Sequence, residues 1–348
     1  MTKAVSDNSA APNQHSRGRT AERPSEIPAK GWWDVLWRLG KRLGNDNISL
    51  VAGGVALYVL LSVFPGLAAL VSIYGLFATP ANVVQHMKDF ASVLPPGVWA
   101  IFNTQLQELV HHSQRSLTAA AALGIVIALW SARSAMSALM TATNIAYGER
   151  EKRSFFLQII ISLVFTAIAI LGFLLTLMLG VAIPMVLKVL GTSDTVQIIA
   201  AVLRAVLLWG VAVLGLAFIY RYAPAREHAQ WRWVTSGSAI AATLWLAASA
   251  LFAFYVKNFG GYGKMYGALG SVIALVMWFY ISSFIVVVGA EANAEMERQT
   301  RKDSTVRRNA PLGQRGAYAA DTVGPSAQQG AEAKAQAPAQ NKTKLAGS

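Results

Sequence analysis

The chain has 348 residues, of which 54% are hydrophobic and only 14% charged, with a net charge of +13 and no cysteine. A charged fraction well below the ~25% of soluble domains excludes an ordinary soluble globule. The missing cysteines exclude disulfides, thiolate catalysis and cysteine-ligated zinc or iron–sulfur centres.

Residues 1–30 are polar and proline-bearing, without the short apolar core of a cleavable signal peptide. They hold too few large apolar side chains to bury a core and are expected as a disordered cytoplasmic tail. Over residues 31–44, Trp32, Trp33, Leu36, Leu39 and Leu43 share one helical face while Arg38, Lys41 and Arg42 lie elsewhere. That pattern fits an amphipathic helix lying in the membrane interface, cations near lipid phosphates, or a juxtamembrane linker with an aromatic anchor.

Six long apolar runs follow, at residues 51–77, 119–142, 155–183, 196–220, 234–256 and 267–290. Each reaches or exceeds the ~20 residues needed to cross a ~30 Å hydrocarbon core. The expected architecture is therefore all-α, a polytopic bundle of six transmembrane helices within a membrane domain at 31–302. The first span doubles as the insertion signal. Between the first two spans, Pro80, Pro95, Pro96 and Gly97 interrupt stretches of helical period, predicting two short external helices near 83–94 and 99–110. His86, His111 and His112 fall there and read as surface histidines. Residues 303–348, rich in Ala, Gln, Gly, Ser and Lys, are expected as a second disordered tail.

Lys and Arg are distributed unevenly: 23 lie in the termini and the connections expected on their side, against 5 in the alternate connections. The positive-inside rule then puts both termini in the cytoplasm and makes the span number even. The basic excess points to anionic membrane lipids as partners rather than to nucleic acid.

One internal echo stands out. Residues 122–129 read Ala-Leu-Gly-Ile-Val-Ile-Ala-Leu and residues 268–275 read Ala-Leu-Gly-Ser-Val-Ile-Ala-Leu, followed by Trp130 and Trp278 and later by Asn144 and Asn293. A duplicated hairpin explains it, as does the small alphabet of membrane spans.

Ionisable side chains inside spans are costly and tend to face a cavity or a partner. Arg133 lies inside the second span, with Ser137, Met140 and Asn144 on its face at helical spacing. A guanidinium beside Ser and Asn suits an anionic head group; snorkelling to the interface is the other reading. Glu291 and Asn293 end the sixth span, where Glu291 is placed to pair with Arg133, to titrate as a coupling carboxylate, or to form a solvated helix end. Arg204, one turn inside the fourth span, is expected to reach the outer head groups. Pro65 interrupts the first span and frees a carbonyl, as a kink or as the lining of a wet cavity. Pro184 with Gly180 kinks or ends the third. Before the sixth span, the glycine-rich segment holding Tyr262, Gly263 and Gly267 allows a tight re-entry and close packing. Arg133, Ser137, Asn144, Glu291, Asn293 and Tyr262 thus form the candidate binding set, with Pro65, Gly263 and Gly267 as conformational positions.

The chain shows no Gly-x-Ser-x-Gly, no His-Glu-x-x-His and no carboxylate cluster for paired metals. No catalytic residue, metal or cofactor is assigned.

Several segments together carry a family likeness: Ala52-Gly53-Gly54-Val55-Ala56-Leu57-Tyr58 with Leu61-Ser62-Val63-Phe64-Pro65, Trp130-Ser131-Ala132-Arg133, Tyr266-Gly267-Ala268-Leu269-Gly270, Trp278-Phe279-Tyr280 and Gly289-Ala290-Glu291-Ala292-Asn293. Over most of 33–297 the chain resembles the YihY/BrkB family of bacterial inner-membrane proteins. The resemblance implies a six-helix inner-membrane protein of unsettled biochemistry, whose members have been labelled virulence factor and, mistakenly, ribonuclease BN. The residues favour a carrier or flippase of an anionic or lipid-like solute. The rivals are an envelope assembly protein with a protein partner or as a homo-oligomer, and a membrane-embedded enzyme.

Overall fold

The computed structural model describes residues 16–77, 114–183, 186–187, 191, 193–259, 268–307 and 309–332. The helices are α1 (Ala29–Asn45), α2 (Ile48–Phe77), α3 (Gln114–Tyr147), α4 (Phe155–Leu177), α5 (Asp194–Tyr222), α6 (Trp231–Phe259), α7 (Ala268–Glu297) and the short α8 (Tyr318–Asp321). Among the described residues the β pairing is a single antiparallel bridge, Ala229 to Thr305. Each expected apolar run falls on one of α2 to α7. Among the described residues, five helices are long and apolar enough to cross a membrane, and a sixth crossing results if α1 and the first part of α2, bent by 66°, count as one broken span.

The helices are not equally buried along their length. Ile48, Ala142, Ala146, Tyr147, Val234, Ala241, Val287, Ala290 and Ala294 pack together with almost no exposure, all near the end that carries both termini. Small side chains let backbones approach there: a side chain at Gly289 would collide with the Tyr220 hydroxyl, which donates to the Val286 carbonyl at 2.8 Å. Away from that end, Val126, Leu171, Phe173, Ile198 and Leu251 are exposed. Hydrocarbon is as apolar as leucine, so nothing drives such side chains inward in a bilayer. α7 is central, packing on α1, α2, α3 and α6.

Pro65 lies inside α2, which continues through it to Phe77. α4 gives way to a π turn at Met178–Ala182, just before Pro184 in sequence. A proline has no N–H for the carbonyl four residues back, and a widened turn is one way to accommodate that loss. The predicted external helices, the three histidines near them, and Tyr262, Gly263 and Gly267 lie outside the described residues.

Two expectations are corrected. Residues 16–28 and 303–332 were expected within disordered tails, yet the described segments fold onto the end of the bundle. Arg19, Ala21 and Ile27 are buried on one side and Ser304, Thr305, Arg315, Ala319 and Ala320 on the other. They do so with little apolar surface because arginines bind backbone carbonyls, most of them in the irregular chain beyond α7. Arg19 donates to the carbonyls of Gln299 (3.2 Å) and Gly324 (2.7 Å), and Arg315 to those of Arg301, Ala310 and Ala320. Burial pushes the Arg19 guanidinium down to about 10, with the nearby Arg38 charge adding to it. The second correction concerns α1. Trp33 and Leu36 are exposed as an interfacial face requires, but Arg38 and Arg42 turn inward onto α7 instead of outward to lipid phosphates.

Candidate functional site

The inward turn of α1 follows from two ladders of the same period. Asp34, Arg38 and Arg42 recur every four residues on α1, and Glu291, Glu295 and Gln299 recur every four along α7 and its end. Residues four apart share a helical face, so two such helices laid side by side match cation to carboxylate over two turns. Arg38 Nε donates to Glu295 Oε2 at 2.5 Å and its Nη2 to Gln299 Oε1 at 2.8 Å. Arg298 donates to the other Glu295 oxygen at 2.6 Å. Arg17 closes the outer end of the ladder on Asp34 at 2.9 Å.

Glu291 is the exception on this ladder. It is 0% exposed, Arg42 Nε lies 3.3 Å from its Oε2, and neither carboxylate oxygen receives a hydrogen bond. Arg42 divides itself among Asp46 at 2.9 Å, Glu295 and Glu291. Glu291 therefore pairs with Arg42, and the pairing with Arg133 considered from the sequence is not the one observed.

The opposite face of α7 carries Asn293 and Glu297. Asn293 is buried against Gly237 of α6, its Nδ2 3.5 Å from the Val234 carbonyl and its Oδ1 without a donor. Glu297 accepts from Arg226 Nη2 and from Ser304 Oγ, both at 2.7 Å, and the Arg226 guanidinium lies over the Tyr147 ring. Burial alone would lower the Arg226 pKa, but the Glu297 carboxylate raises it above its ordinary value.

Asn144 stands near the end of α3. Its Oδ1 accepts the Ala225 N–H at 2.7 Å and its Nδ2 donates to Glu151 at 3.0 Å. α3 then stops at Gly148, whose φ of +68° and neighbouring N–H bonds, Gly148 to Ile145 and Glu149 to Asn144, make a Schellman closure. Of the two echoed asparagines, Asn144 holds the connection from α5 to α6 at Ala225, while Asn293 contacts the first turn of α6 at Val234. Arg153 caps the end of α5 from below, donating to the carbonyls of Tyr222, Ala223 and Pro224.

Arg133 belongs to a different place. Its Nε donates to Ser162 of α4 at 3.2 Å and its guanidinium lies 4.9 Å over the Trp130 ring, half-buried between α3 and α4. Eleven residues of helix, roughly 16 Å, separate it from Asn144. Ser137 is half-buried on the same helix and Met140 is packed against Phe165. The structure brings Asn144, Glu291 and Asn293 to one end of the bundle and leaves Arg133 nearer mid-span. Arg38 and Arg42 were read from the sequence as interfacial cations, and Arg226, Glu295 and Glu297 were not singled out, although the matching four-residue spacings of α1 and α7 were visible there.

With this geometry in place, comparison with known proteins gives a direct answer. Residues 39–312 match the family described as Virulence factor BrkB. The chain belongs to that family. Among its relatives are the ribonuclease-like protein YfkH of Bacillus subtilis (strain 168), 28% identical over 71% of this chain and 89% of its own length. A UPF0761 membrane protein of Idiomarina loihiensis is 24% identical over 74% of this chain and 89% of its own. One of Vibrio campbellii is 27% identical over 76% and 82%. No solved structure matches. The BrkB chain is thus an integral membrane protein, and the ribonuclease-like wording belongs to one relative among others named only for their membrane location.

Proposed function

We propose that this BrkB-family chain is a proton-coupled carrier, of flippase type, for an anionic or lipid-like solute in the bacterial inner membrane, and not an enzyme. The observation that carries the reading is Glu291. A fully buried carboxylate on a membrane helix, facing an arginine but accepting no hydrogen bond, is a group poised to take up and release a proton. Arg133, at a different depth and only half-buried beside Trp130, is the cation that attracts the solute's charge. Pro65 within α2 and the π turn after α4 supply places where helices rearrange. Ser137, half-buried on α3, remains a candidate for the solute path.

The two terminal segments meet: Arg17 reaches Gln328 and Arg19 reaches Gly324. Chain ends on one side require an even number of crossings, which supports six spans with α2 as the first. The basic excess at that end supports a cytoplasmic placement. The rival reading, an envelope assembly protein, is favoured by one observation: the docked terminal segments build a structured surface at the same end on which a protein partner could sit.

The test is transport. Full-length protein is reconstituted into phosphatidylcholine vesicles containing fluorescent phosphatidylglycerol, whose inner-leaflet copies dithionite reaches only after crossing. Wild type should speed crossing over empty vesicles, and Arg133→Ala or Glu291→Gln should reduce that excess about tenfold or more. Crossing at the empty-vesicle rate by folded wild type would remove this lipid from the reading and shift it to assembly.

A further inference from the structure

Where α5 ends and α6 begins, the chain builds an open groove of about 680 Å³ at the charged end of the bundle. Arg221, in the last turn of α5, and Trp231 and Arg232, opening α6, form one wall; Lys302, Asp303 and Glu22 from the two terminal segments form the other. The groove exists only because those segments fold back onto the bundle. Strand-like hydrogen bonds hold it shut behind: Gln230 N–H to the Ser304 carbonyl at 2.8 Å and Val306 N–H to the His228 carbonyl at 3.0 Å.

Its charge is less balanced than its composition. The Asp303 carboxylate is turned into its own loop, accepting from the backbone N–H groups of Thr305 and Ala310 and from the Thr305 hydroxyl. Glu22 stays 3.9 Å from Arg232 and is largely exposed. Three cations therefore face the groove with one solvated carboxylate between them. Arg221 is the unusual member. Its guanidinium lies flat over Trp231, 4.6 Å from the ring centroid, and near Tyr222 at 5.2 Å, while its Nε and Nη1 are buried with no hydrogen-bond partner. A guanidinium stacked on aromatic rings with donors lacking an acceptor has the form of an oxyanion receptor before its ligand arrives. The N-terminus of the 29-residue α6 adds positive potential on the same side.

Depth identifies the source of the anion. Trp231 is 46% exposed at the first residue of an apolar membrane helix, the position at which indoles sit at head-group level.

We propose that this groove binds a phosphate group, that of an anionic glycerophospholipid head group, with Arg221 as the half-buried contact and Arg232 and Lys302 at the rim. The site is separate from Arg133 and Glu291 and does not depend on the carrier reading. A phosphodiester there would tie the two terminal segments to the membrane face and make the closed end sensitive to lipid composition.

Native mass spectrometry of the full chain tests this, with dioleoyl phosphatidylglycerol, dioleoyl phosphatidylcholine and inorganic phosphate as probes. Wild type should keep one phosphatidylglycerol at activation energies that strip phosphatidylcholine. The double substitution Arg232→Gln/Lys302→Gln, at rim positions where folding is not at stake, should weaken that retention about tenfold or more, and Arg221→Gln should abolish it. Arg133→Ala should leave it unchanged whether or not it stops transport. Displacement by equimolar inorganic phosphate would assign the groove to free phosphate; persistence in excess phosphate would assign it to the head group. Equal retention of the two lipids, or unchanged phosphatidylglycerol retention in the rim variant, would overturn the proposal.

Discussion

At the end that carries both termini, carboxylates and guanidiniums are buried as completely as any valine. Toward the far ends of the same helices, phenylalanines and leucines face outward. Glu291, Glu295 and Glu297 are at most 1% exposed, whereas Leu171 is 65% exposed. The inversion is what a lipid solvent produces: apolar side chains need no shelter there, and polar ones must find partners within the protein. Stability should therefore be concentrated in the polar knot, while the apolar faces tolerate change.

The largest effect should come from Arg226→Ala, which leaves the Glu297 carboxylate buried without its cation. Removing one partner of a buried pair costs about 3–5 kcal/mol, to be read as lost unfolding free energy in detergent. Replacing both, Arg226→Met with Glu297→Leu, should recover most of it, because the desolvation penalty disappears with the charges. A single substitution no worse than the double would mean the pair is hydrated.

Gly148→Ala comes next. A left-handed backbone costs an alanine about 1–2 kcal/mol, and here the Tyr318 ring lies where the new methyl would go. Thermal unfolding should fall, and proteolysis should release the segment holding α8, since Tyr318 must move.

A smaller effect is expected from pH. Burial and the Arg221 charge hold His228 below its ordinary pKa, so the unfolded chain binds this proton more readily than the folded one. The stabilisation is complete above about pH 6.5 and is lost as pH falls through the lowered folded value. Melting between pH 8 and pH 5 should show this slope, and His228→Gln should flatten it.

The smallest effect belongs to the apolar half. Phe173→Ala should change stability by no more than ~0.5 kcal/mol, as for other exposed positions. A loss comparable to that at Gly148 would mean that Phe173 packs against a second copy of the chain.

Much of this division was legible in the amino-acid sequence. The six apolar runs and the concentration of basic residues on one side announce the bundle, because hydropathy and charge bias act locally. The knot was harder to read. Arg38 and Arg42 count as interfacial cations until Glu291 and Glu295, some 250 residues away, are brought opposite them; the matching period was present, but nothing local says which helix lies alongside. The terminal segments were misread for a related reason. Low apolar content rules out a core of their own, yet Arg19 and Arg315 need only backbone carbonyls, which composition does not reveal. Of the candidate positions, Asn144 holds the α5–α6 connection and Asn293 packs on α6, while Arg133 sits apart between α3 and α4.

Hydrogen–deuterium exchange of the full chain in lipid nanodiscs tests the folded charged end most directly. Residues 16–28, 223–234 and 301–327 should exchange over minutes to hours, as closed hydrogen-bonded structure does. Exchange of 16–28 and 301–327 within seconds, at the rate of free peptide, would contradict it and return both segments to disordered tails.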